Sequence, residues 1–85
     1  MVEVTYDGGG DVLYTKVEGE VISNSNQSET DSYLIIDRNG KDCVVGTTLL
    51  AASEMPLDFW RDTQGYHNEL PEEVFKAIEE WIKTR

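Results

Sequence analysis

Residues 70–85 constrain the fold more than any other stretch. Val74, Phe75, Ile78, Trp81 and Ile82 recur at i, i+1, i+4, i+7 and i+8, which places them on one face of an α-helix. Glu79, Glu80 and Lys83 take the opposite, wet side. Leu70-Pro71-Glu72-Glu73 supplies the start, because proline suits the first helical position and carboxylates are favoured at the positive helix N-terminus. Lys83 and Arg85 fall at the other end, where cations are favoured. A helix this one-sided has to lie on something flat and apolar.

The first fifty residues offer strands to lie on. Val2, Val4 and Tyr6 alternate with Glu3 and Thr5, the pattern of a half-buried strand. Asp7-Gly8-Gly9-Gly10-Asp11 breaks it, since glycines readily take positive φ in a turn. Val12–Val17 is β-rich again, so the first two strands form a hairpin, and Val21-Ile22 adds a short strand end. Residues 23–32 are Ser, Asn, Gln, Glu, Thr and Asp only, with nothing apolar to bury, and read as a mobile surface loop. Tyr33-Leu34-Ile35-Ile36 is a continuous apolar run, expected to be covered on both faces. Asp37–Asp42 contains Asn39-Gly40, a hairpin turn signal resting on the tolerance of both residues for positive φ. Cys43–Leu50 completes the second hairpin, with Gly46 a bulge or a point of close backbone approach. Pro56–Trp60 reads as a short helical turn that Gly65 ends. The expectation is a single α+β domain: an antiparallel sheet of about four strands in two hairpins (residues 1–50) and a helical part (residues 51–85) whose amphipathic helix packs on one sheet face. The other face is left to Leu49–Trp60 or to a second copy of the chain.

The 85 residues carry 17 acidic and seven basic side chains, a net charge of −10. Such a field repels nucleic acid and anionic membranes and favours basic proteins or cations. No apolar run approaches the roughly 20 residues needed to cross a bilayer. The N-terminus lacks a basic segment followed by an apolar one, so the expected location is the cytoplasm. Cys43 is the sole cysteine, which excludes an intrachain disulfide.

Few residues carry a chemical signal. Asp7 and Asp11 bracket three glycines and are weak candidates for a hard cation, which wants six or more oxygens. The structural reading is that Asp7 fixes the turn and Asp11 restarts the strand. Asp37, Asn39 and Asp42 resemble part of a calcium loop, but Arg38 and Lys41 interrupt it and no glutamate closes it. Cys43 could act as a nucleophile only with a base such as His67, 24 residues on; a cysteine at a strand start is ordinarily a small buried apolar residue. Phe59 and Trp60, flanked by Asp58 and Asp62, would make an apolar knob in an acidic frame if exposed, suited to a basic partner with a groove. No cofactor is indicated.

The run Val4-Thr5-Tyr6-Asp7, then Asp11-Val12-Leu13-Tyr14, Asp37 with Gly40, Val44-Val45-Gly46, and Leu49-Leu50 with Ala52-Ser53 resembles the YuzE-like family of small prokaryotic domains of unknown function. The resemblance covers residues 2–53. It implies a small β-rich unit, with some members in settings suggestive of toxin–antitoxin partnerships, and it implies no established reaction. Where that pattern usually has glutamate, this chain has Thr48. The functional expectation is a non-catalytic, antitoxin-like binding or regulatory module for a basic protein, possible as a homodimer. The alternatives are an acidic decoy of a nucleic-acid-binding protein and a small metal-dependent enzyme using Asp7 and Asp11.

Overall fold

The computed structural model describes residues 1–29, 31–55, 65 and 68–85. The chain is α+β: one antiparallel sheet with a C-terminal helix on one face. The strands are β1 (Val2–Asp7), β2 (Val12–Val17), β3 (Asn24–Gln27), β4 (Leu34–Arg38) and β5 (Val44–Leu50), and the helix is α1 (Glu72–Thr84). Their order across the sheet is β1-β2-β5-β4-β3. Both expected hairpins are present, joined where β2 pairs with β5.

The sheet has five strands rather than four. The fifth comes from the all-polar stretch expected to be a loop: Asn24–Gln27 pairs with Ile35–Arg38 as an edge strand. An edge strand with both faces wet needs no apolar residue, so hydrophobic periodicity does not reveal it. Val21 and Ile22, expected to add a short strand end, instead lie in the exposed connection that carries the chain to the far edge. Gly19 turns that connection with φ 86°.

The two hairpin turns also differ from expectation in where they place the left-handed residue. Asp11 (φ 54°) takes it after the triple glycine, and Asp42 (φ 64°) takes it after Asn39-Gly40. Aspartate tolerates this region because its short polar side chain bonds locally. Asn39 accepts from the backbone N–H groups of Lys41 (2.9 Å) and Cys43 (3.0 Å), so its side chain organises the turn. Cys43 is exposed rather than buried, because it belongs to this turn and β5 begins only at Val44.

Alternation fixes the two sheet faces. Leu13 of β2, Leu49 of β5, and Leu34 and Ile36 of β4 point to one side and form the core with Val74, Phe75, Ile78 and Ile82 of the helix. Thr15 and Thr47 sit opposite each other in register on that side, fully buried, and satisfy each other through a 2.5 Å hydroxyl contact. Ala52, Met55 and Leu70 close the core. The apolar face of α1 is as the spacing predicts, except that Trp81 is only half-buried, stacked at 4.9 Å on Tyr6 near the β1 edge. Val4 and Tyr6 stay 42% and 40% exposed, because the helix does not cover the edge strand fully. Pro71 caps the helix from just outside, so the first helical residue is Glu72. Lys76–Glu72 (3.3 Å) and Lys83–Glu79 (3.7 Å) line the wet side. Gly65, expected to end a helical turn, is itself helical, as are Asn68 and Glu69. Among the described residues no helix is long and apolar enough to cross a membrane.

Candidate functional site

Among the described residues no element covers the face away from the helix, and one row of residues crosses all five strands on it. Glu3 of β1 faces Lys16 of β2, Lys16 faces Gly46 of β5, Gly46 faces Asp37 of β4, and Asp37 faces Ser25 of β3. The next row runs Thr5, Tyr14, Thr48, Ile35 and Gln27. Gly46 is the centre of the first row. Glu3, Lys16, Asp37 and Ser25 of the first row and Thr5, Tyr14 and Thr48 of the second, with Thr15, Thr47 and, from the β2–β3 connection, Ile22, line a concavity of about 500 Å³. That volume is in the range of ligand clefts, roughly 300–1,000 Å³.

Glycine at 46 is required by packing. A Cβ built there runs into the carbonyl oxygen of Thr15 and comes within 3.1 Å of the Lys16 Cα. Both obstacles are backbone of the neighbouring strand, so no side-chain rotation relieves them. The close backbone approach read from the sequence is therefore present: it lets β5 lie tightly against β2 at the middle of this row.

Asp37 lies on the floor of the hollow, 4% exposed. The Ser25 hydroxyl donates to its Oδ1 at 2.6 Å, and the Thr48 hydroxyl to its Oδ2 at 3.2 Å. The carboxylate thus ties β3 and β5 to β4. It forms no ion pair with any described residue. The sequence suggested a turn residue here, because Asp37 precedes Arg38-Asn39-Gly40. The available signal was length: Cys43–Leu50 is too long to pair with Tyr33–Ile36 alone, so the partner strand had to run on through Asp37. Thr48, the departure from the resembled pattern, is one of the two hydroxyls on Asp37.

The other sequence candidates take different positions. Asp7 Oδ1 accepts the Gly9 N–H at 3.0 Å and shapes the turn. Asp11 is fully engaged elsewhere. Its Oδ1 accepts the Tyr6 hydroxyl at 2.6 Å and the Ser53 N–H at 2.9 Å, and its Oδ2 accepts the Ser53 hydroxyl at 2.7 Å. This latch ties the first hairpin to the 3-10 turn Ala52–Glu54 that follows β5. Arg85 reaches the same turn, donating to the carbonyls of Ala52 and Met55. The Tyr6 hydroxyl, then the Ser53 hydroxyl and N–H, hold the Asp11 carboxyl below its ordinary value. Reciprocally, the bond to Asp11 pushes the Tyr6 phenol above its ordinary value. Asp11 and Ser53 lie near opposite ends of the resembled stretch, and the fold bonds them directly.

Asp37, Asn39 and Asp42 do not converge: Asp37 faces the hollow, Asn39 organises the turn, and Asp42 pairs with Arg38 at 3.6 Å. Among the described residues no group of three or more His, Cys, Asp or Glu side chains is placed to hold a metal ion. Asp58, Phe59, Trp60, Asp62 and His67 lie outside the described residues.

Comparison of the chain with family models, with curated proteins and with solved structures finds no match in any of the three.

Proposed function

We propose that this chain is a cytoplasmic, non-catalytic binding module that takes a basic protein partner on the helix-free face of its sheet. The observation that carries the reading is a buried carboxylate, Asp37, at the floor of an open hollow, on a chain of net charge −10. The global charge draws a cationic partner in and speeds encounter. The exposed rings and aliphatic groups on this side of the molecule, Tyr14, Ile22 and Leu50, supply apolar contact once it arrives.

The test is a titration of the purified protein with a set of small basic proteins, by calorimetry at low and high salt. The reading expects a stoichiometric complex with at least one of them, weakened by salt, with amide shifts confined to β2, β4 and β5 on the open face. Absence of any complex at low salt, or a complex mapped to the helix side, would overturn it.

A further inference from the structure

We infer that the hollow lined by Asp37, Tyr14 and Ile22 receives a single arginine side chain of that partner, with Asp37 as the anion that holds it; the inference rests on the binding reading above and names its chemistry.

Charge is the first argument. Glu3 and Lys16 face each other in register, so their opposite charges offset one another at the rim. Lys16 forms no ion pair with a described residue, Asp37 included. The hollow therefore keeps one uncompensated negative charge, and that charge is on the group least able to reach water. A buried carboxylate whose hydrogen bonds come only from neutral hydroxyls favours an added cation, because charge-assisted bonds are about twice as strong as neutral ones.

Shape and chemistry select among cations. Each Asp37 oxygen accepts one hydroxyl and keeps a further acceptor site, since an ionised carboxylate offers about four. Two oxygens each with a free site match the two-pronged donor edge of a guanidinium. The walls are an aromatic ring, Tyr14, and an aliphatic group, Ile22, both about two-fifths exposed. A weakly hydrated planar cation stacks on such a ring, and its three-methylene stem lies along apolar surface. An ammonium is a strongly hydrated point charge and uses neither wall well. A bare metal ion finds too few oxygens, because the donors to Asp37 are themselves hydroxyls bonded to it.

The experiment follows backbone amide shifts of Asp37, Gly46 and Thr48 while a capped peptide with one arginine is added, and then its lysine counterpart. The expected result is saturable shifts at these amides, with arginine tighter than lysine by roughly threefold or more. Asp37→Asn, close in shape and still able to bond both hydroxyls, is expected to weaken arginine binding by at least about tenfold. Lys16→Ala, which removes the competing cation at the rim, is expected to strengthen it by roughly threefold. Should Asp37→Asn fail to fold, Tyr14→Leu gives the same decision from an exposed position, by lowering the preference for arginine over lysine. Shifts that do not saturate, equal affinity for the two peptides, or affinities indifferent to these substitutions would each overturn the arginine hollow. A basic protein that binds wild type and Asp37→Asn alike overturns the hollow and leaves the proposed function standing. Saturation by the arginine peptide with no basic protein bound supports the hollow and removes the proposed function.

Discussion

At the scale of single residues, Asp11 shows how a side chain can be spent on the fold. Its backbone is left-handed, and its carboxylate collects three hydrogen bonds, one from Tyr6 of its own hairpin and two from the distant Ser53. Those bonds favour the ionised form, so its folded-state pKa lies below the unfolded value near 3.8. The stabilisation is therefore fully present above that unfolded value and is lost as pH falls through the lower, folded one. Tyr6 works in the opposite sense. Its folded pKa is raised above 10.0, so its contribution is present below that value and lost as pH rises through the folded one. The expected outcome is a thermal midpoint that drops at both ends of the pH range. Asp11→Asn should start lower at neutral pH and show a flatter acid limb, measured by circular dichroism melts. An acid limb unchanged by the substitution would show that other carboxylates govern acid unfolding.

At the scale of elements, legibility in the sequence followed burial. The strands β1, β2, β4 and β5 and the helix each carry apolar residues at their own period, because each turns at least one side to the core. β3 carries none, and it is held instead by its ladder to β4 and by side chains: Ser25 to Asp37, and Gln27 to the carbonyl of Ser32 at 2.9 Å. Ser28, just beyond, donates to Glu69 at 2.7 Å and so anchors this edge next to the helix start. Such contacts between distant residues are invisible to periodicity. The open-face row was hidden for the same reason: Glu3, Lys16, Gly46, Asp37 and Ser25 are neighbours only once four registers are known. Gly46 alone gave a local hint. Because β3 is short, exposed and at the edge, its amides are expected to exchange with deuterium at least about tenfold faster than those of β5, which is paired on both sides. Equal protection would mean that the edge is covered in solution, as it would be by a second copy of the chain.

For the whole molecule, helix α1 covers one face of the five-stranded sheet and no described element layers the other, while carboxylates outnumber cations 17 to seven. Few cations are available to offset so many anions, so repulsion is expected to outweigh the gain from i,i+4 pairs such as Arg38–Asp42, Lys76–Glu72 and Lys83–Glu79 among the described residues. Added sodium chloride is expected to raise the thermal midpoint, by roughly 4–8 °C for each kcal/mol of repulsion screened. A midpoint that falls with salt would reverse that balance and show that the ion pairs outweigh the repulsion. Gly46 bears on what such a molecule can become. Any side chain at that position would collide with the backbone of the neighbouring strand, so the middle of the open face cannot be rebuilt from position 46 without breaking the sheet. The rim has no such restriction: Glu3, Tyr14 and Ile22 stand at the surface, where exchange is cheap. Sequence drift in a chain of this design would therefore rewrite what the hollow prefers while leaving the sheet beneath it in place.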